Sequence, residues 1–186
     1  MLAEETQNDI EEFSKNVVSA SNDASMEKRI VVIGSGPVGM RFVEHLLEKN
    51  PKAHVLLFGN EPFAPYNRVQ LSALLAGDME REQIDLPLPS EKKHPNFSFR
   101  VANISAIYRQ EKYIEVSLGE TYSYDTLLLA TGARAHVPNI PGREQAGVYR
   151  FRSMLDAEAL FARVASCRHV VVLGGGLLGL EAAKAL

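Results

Sequence analysis

The chain carries one cysteine, Cys167, so neither an internal disulfide framework nor a CxxC redox pair can form within it. Nothing therefore argues for a secreted, oxidising setting. Lying just before an apolar run, that thiol reads as a small core residue and not as a nucleophile. Basic excess is missing too: the net charge is −3, and Lys92-Lys93 beside His94 is too small a cluster to grip nucleic acid. No apolar stretch approaches the length needed to span a bilayer, and no positively charged start leads into one. His45, His54, His94, His136 and His169 stand in no ligand spacing with cysteine or carboxylates, so no metal site is expected. GxSxG does not occur, and Glu80, Glu82 and Asp85 read as a solvated face instead of a general acid pair. What these absences leave is a soluble protein, cytoplasmic by default, with no membrane or nucleic-acid partner.

The 186 residues are 46% hydrophobic and 23% charged, an ordinary globular composition able to bury a sizeable core. That length suits one domain, or one domain and part of a second. Residues 1–28 are polar and acidic (Glu4, Glu5, Asp9, Glu11, Glu12, Asp23 and Glu27 against Lys15 and Lys28). They read as a solvated tail with at most a short helix around Ile10–Val18.

Order begins at the β-branched run 29–33, the kind that forms a strand buried on both faces. Glycines follow, then Met40–Asn50 with Phe42, Val43, Leu46 and Leu47 at helical spacing and Pro51 as a stop. His54–Phe58 reads as a second strand, which completes a parallel βαβ unit. A short helix is expected around Arg68–Leu75, stopping at Gly77, and the polar, proline-punctuated stretch from Asp78 to Asn96 reads as loop with some helix. Further strands are expected at Ile104–Tyr108 and Tyr113–Leu118, with Gly119-Glu120 as a two-residue hairpin loop. Asp125–Ala130 is nearly all apolar and reads as a buried strand. Pro138, Pro141 and Gly142 form a connection, and Ser153 is the expected N-cap of a helix over Met154–Val164. His169–Leu173 reads as one more strand, followed by glycines and a helix that breaks off at Leu186 without a stop signal. A βα unit with no strand to pair beside it implies a truncated chain.

Gly34-Ser35-Gly36-Pro37-Val38-Gly39 spells GxGxxG between strand and helix. In such a turn Gly34 makes the bend, Gly36 lets a diphosphate approach the backbone, and Gly39 lets the helix lie close on the strand. Free N–H groups and the helix dipole then favour the anion. One such motif is weak, because a glycine turn can stand without a ligand. The pattern recurs about 140 residues further on as Gly174-Gly175-Gly176-Leu177-Leu178-Gly179, again ahead of a helix. Two copies imply two dinucleotide sites.

At this point the residues resemble a known family. Tyr124-Asp125-Thr126-Leu127-Leu128-Leu129-Ala130-Thr131-Gly132 is similar to a YDxLxxATG segment, Pro65 to Ser72 to a PYxRxxLS block, and Ile140-Pro141-Gly142 to a proline-rich connection. With the second glycine motif ending at Glu181, they resemble the two-dinucleotide-binding-domain flavoproteins of the pyridine nucleotide-disulfide oxidoreductase superfamily. Within it the likeness is to the disulfide-lacking branch: rubredoxin reductases, ferredoxin reductases and the flavin end of NAD(P)H nitrite reductases.

The resemblance runs from about Lys28 to the last residue. It implies an α/β, Rossmann-like FAD/NAD(P)-binding fold, a parallel sheet plus a small antiparallel meander. Residues 29–150 would be the start of an FAD-binding domain and 151–186 an incomplete NAD(P)H-binding domain. Gly34, Gly36, Pro37, Val38 and Gly39 would hold the FAD pyrophosphate, and Arg68 would contact FAD as a fixed cation. Ala130, Thr131 and Gly132 would line the flavin side, with Ile104 near the adenine. Gly174, Gly176, Leu177, Leu178, Gly179 and Glu181 would serve NAD(P)H.

The sequence also departs from the family pattern. Gly59 stands where an acidic residue would hold the adenosine ribose, with Glu61 as the substitute, and Ala73 stands where a lysine often follows the LS pair.

The resemblance implies hydride transfer from NAD(P)H to FAD and onward electron transfer to an iron–sulfur, rubredoxin-like or haem acceptor, a protein or a domain. No catalytic side chain is expected, since the flavin does the chemistry. A second reading stays open, a dinucleotide-binding fragment without turnover, prone to associate into oligomers through an unpaired sheet edge; the ATG segment and the second glycine motif argue against a third, an NAD-only dehydrogenase.

Overall fold

The computed structural model describes residues 28–164 and 166–186, and the expected acidic tail, with its short helix, lies outside them apart from Lys28. The chain divides into two compact units. One takes in the described residues up to Pro65 together with Leu86–Gly132; the other takes in Tyr66–Asp85 together with Ala133–Leu186.

The first unit is built on a four-stranded parallel sheet in the order β3-β2-β1-β7. Its strands are β1 (Arg29–Ile33), β2 (His54–Gly59), β3 (Phe97–Val101) and β7 (Thr126–Leu129). Helix α1 (Pro37–Lys49) crosses over between β1 and β2. Because side chains alternate along a strand, β1 feeds two cores. Ile30 and Val32 pack with Phe42, Val43, Leu46 and Leu47 of α1, while Val31 and Ile33 pack on the opposite face with Ile114, Val116 and Tyr124. That opposite face is covered by a three-stranded antiparallel sheet, β4-β5-β6, made of Ile104–Tyr108, Tyr113–Val116 and Thr121–Ser123.

Three expectations change here. Phe97–Val101, not anticipated as a strand, pairs with β2 from Val55↔Phe97 to Gly59↔Val101. Its alternating, half-exposed pattern is that of an edge strand, which needs no continuous apolar run. Next, β7 is also an edge, so Leu129 is 58% exposed instead of buried. The strand read as Tyr113–Leu118 ends at Val116, and the loop after it is Ser117-Leu118-Gly119, longer than two residues. The Gly119 N–H donates to Val116 O at 2.8 Å and Gly119 takes φ +86°, a type I turn closed by a glycine bulge. The polar stretch after Asp78, read as loop with some helix, holds a one-turn helix capped by Glu80 and Gln83.

The second unit is helical: α2 (Leu71–Leu75) after a 3-10 turn at Arg68–Gln70, α3 (Arg81–Ile84), α4 (Met154–Val164) and α5 (Leu177–Ala185). Ser153 caps α4 as expected. Its hydroxyl accepts the Asp156 N–H at 3.2 Å, and the Asp156 carboxylate accepts the Ser153 N–H at 2.9 Å. The strand expected over His169–Leu173 is absent. Val171 is 91% and Leu173 75% exposed, because no neighbouring strand among the described residues supplies a ladder. Cys167 is half-buried in the same connection and is not a core residue.

Candidate functional site

The first glycine turn lies where β1 ends, at the point where the strand order reverses: β2 and β3 build to one side of β1, β7 to the other. In open α/β sheets ligands bind outside the carboxyl ends of the strands at such a point. Gly34 takes φ +117°, and its N–H donates to Phe58 O at 2.8 Å. A Cβ there would lie 2.1 Å from the Ala130 carbonyl oxygen, and one at Gly39 would lie 1.9 Å from the Gly34 oxygen. Backbone approach alone requires glycine at both positions.

Gly36 is different. Its φ −75° and ψ −177° are open to any residue, so the bend does not demand glycine there. It is the N-cap of α1, no side chain caps the helix, and Pro37 occupies the first turn. Amides without a side-chain acceptor, an aligned dipole and a half-exposed Val38 fit a diphosphate group.

Around this turn the structure gathers most of the residues expected from sequence. Ala130 donates its N–H to Ile33 O at 2.8 Å, which sets Ala130 beside Gly34, and exposed Thr131 and Gly132 follow, Gly132 at φ +65°. The Ala102 N–H donates to Gly59 O at 2.8 Å, so the chain entering β4 at Ile104 starts from the same end of the sheet. Glu61 is half-buried just after β2.

Gly59 itself has a local cause that the sequence did not reveal. A Cβ there would sit 2.5 Å from Ser35 Oγ and 3.1 Å from the Phe99 ring. The slot where a strand-end acid would stand is filled by its neighbours.

Asp125 of the YDxLxxATG segment also has a structural task. Its carboxylate accepts the Arg29 N–H at 2.7 Å while its own N–H donates to Arg29 O at 2.9 Å. That backbone hydrogen bond holds the carboxyl below its usual range against an opposing push from burial.

In the second unit the glycine turn repeats almost unchanged. Gly174 takes φ +126°, Gly176 has φ −77° and ψ 176°, and a Cβ on Gly179 would lie 2.0 Å from Gly174 O. No side chain caps α5, and a Cβ on Gly176 would meet nothing within 4 Å. Leu177 and Leu178 are exposed. Glu181, in the second turn of α5, accepts the Ser72 hydroxyl at 2.9 Å.

Arg68 belongs to this unit. Its guanidinium lies 5.4 Å from the centre of the Tyr66 ring, as does that of Arg81, which also pairs with Asp85. The Tyr66 hydroxyl accepts the Met154 N–H at 2.9 Å. Sequence reasoning singled out Arg68 but missed Tyr66 and Ser72, whose roles depend on helices far along the chain. Among the described residues no cluster of histidine, cysteine and carboxylates could hold a metal, and no helix is long and apolar enough to cross a membrane.

A parallel sheet with a glycine turn at its switch point, and a second such turn opening another helix, define a dinucleotide-binding α/β protein. The sequence profile of the Pyridine nucleotide-disulphide oxidoreductase family matches residues 28–186. The chain belongs to that family.

Among its relatives, it is 37% identical over 163 residues to the nitrite reductase (NADH) large subunit of Escherichia coli (strain K12), covering 85% of this chain and 19% of that one. It is 35% identical over 162 residues to the assimilatory nitrate reductase electron transfer subunit of Bacillus subtilis (strain 168), covering 86% of this chain and 21% of that one. The solved covalent putidaredoxin reductase–putidaredoxin complex matches with TM-score 0.76 at 28% identity, over 87% of this chain and 40% of that one. The chain spans between 16% and 41% of the length of eight curated relatives that it matches.

Proposed function

We propose that this chain forms part of an FAD-dependent NAD(P)H oxidoreductase that delivers electrons to a protein or domain carrying an iron–sulfur, rubredoxin-like or haem centre. The observation that carries the reading is the recurrence of one uncapped glycine turn, with the same backbone angles, at Gly34–Gly39 and at Gly174–Gly179. In it, Gly34, Gly36, Pro37, Val38 and Gly39 receive the FAD diphosphate on backbone amides. Ala130, Thr131 and Gly132 border the flavin, Ile104 the adenine and Glu61 the ribose, and Arg68 is the fixed cation for FAD. Gly174, Gly176, Leu177, Leu178 and Gly179 receive the nicotinamide nucleotide, with Glu181 closing the motif. Bound flavin supplies hydride acceptance and onward electron transfer; the side chains bind and orient. The names of the relatives support an electron-transfer role, and a cytoplasmic location accords with the lone cysteine.

The test is FAD titration of the purified chain followed by Gly36→Ala. The Gly36 angles suit alanine, so the fold should persist while FAD affinity falls about tenfold or more from the methyl group in the diphosphate path. Unchanged affinity in a folded variant would remove the diphosphate from this turn.

A second reading, nucleotide binding without turnover, is favoured by the exposed, unpaired segment at His169–Leu173. It predicts FAD uptake with no bleaching by NADH.

A further inference from the structure

The two glycine turns match, but the helices they open are held by different means. Helix α1 buries Met40, Phe42, Val43, Leu46 and Leu47 against its sheet. Helix α5 buries only Ala182, and among the described residues no strand leads directly into it. Its contacts run instead to α2, whose Leu71 and Leu75 are buried. Across that contact two polar links reach α5: Ser72 Oγ donates to Glu181 Oε2 at 2.9 Å, and Lys184 stands 3.8 Å from Asp78. The lysine pair is largely exposed on both sides and contributes little. The Ser72–Glu181 bond is partly buried and has an ionised acceptor, which makes it the stronger of the two.

The place of Glu181 follows from helix geometry. Five residues after Gly176, it sits in the second turn of α5, beyond the first-turn amides that an anion would engage. One oxygen of its carboxylate, Oε2, accepts a hydroxyl donor from α2. We infer that Glu181 is a positioning residue: through Ser72 it fixes the angle at which α5 presents the Gly174–Gly179 turn. This rests on the reading of that turn as the nicotinamide nucleotide site. Ser72 thereby has a role independent of Arg68, although the two share one segment.

Amide hydrogen exchange on the full chain, with no nucleotide present, tests the link directly. Ser72→Ala and Glu181→Ala should each raise exchange across 177–185 about tenfold, the effect of losing one hydrogen bond to a charged acceptor. The double variant should exchange no faster than either single one, because both remove the same bond. Glu181→Gln keeps an acceptor oxygen and should restore most of the protection. NADH affinity, followed by fluorescence titration, should fall severalfold in the two alanine variants and recover in the glutamine variant. Wild-type exchange in Ser72→Ala, or a Glu181→Gln variant as impaired as Glu181→Ala, would overturn the proposal. If the unaltered chain binds no NADH, the nucleotide reading of the second turn falls, while the exchange data still decide the link.

Discussion

A methyl group added at Gly34 and one added at Gly77 would meet opposite surroundings, although both glycines hold positive φ. At Gly34 the methyl would press on the Ala130 carbonyl at 2.1 Å, at φ +117°; at Gly77, with φ +75°, it would find nothing within 4 Å. Gly34→Ala should therefore lose about 3 kcal/mol or more, with backbone strain and overpacking acting together. Gly77→Ala should lose only about 1 kcal/mol from its left-handed backbone. Urea unfolding of the two variants measures the contrast, and similar losses would contradict it. Such distinctions were partly legible in the sequence. The GxGxxG spelling marked Gly34 and Gly39, but Gly59 looked like a missing acid until Ser35 and Phe99 were seen to occupy its space.

Elements in this protein are set as much by their neighbours as by their own residues. Strand β7 reads as a buried run, yet it lies at the edge of the sheet and depends on β1 alone for its ladder. The Asp125–Arg29 exchange of hydrogen bonds fixes where that ladder starts. Because the folded pKa of Asp125 is lowered, its contribution is fully present above the unfolded value of about 3.9 and fades as pH falls through the folded value. The stability gap between the wild-type chain and Asp125→Asn should thus widen as pH rises from about 3 to about 5, then level off. A gap independent of pH would show that the carboxylate's charge contributes nothing. With the side chain 40% exposed, the gap should be small.

At the scale of the whole molecule, the apolar surface left open by the second unit matters most. Val171, Leu173 and Leu180 are exposed along the segment around the second glycine turn, and an apolar run of this kind favours self-association. Sedimentation velocity should show association that weakens on dilution, and Val171→Lys with Leu173→Lys should reduce it. A strictly monomeric wild-type chain at every concentration would argue that this surface is not adhesive.

The sequence by itself determined the local conformations whose causes are local. The two glycine turns, the capping of α4 by Ser153 and the helical stripe of α1 all follow from residues within a few positions of one another. The second turn shows this most plainly, since it takes the geometry of the first without any strand leading into it. Tertiary structure alone decided what depends on distant partners. It made β3 a strand, left β7 at an edge, denied His169–Leu173 a ladder and gave Glu181 to Ser72. A turn closes on its own backbone, whereas a strand or a side-chain link exists only when another segment completes its hydrogen bonds.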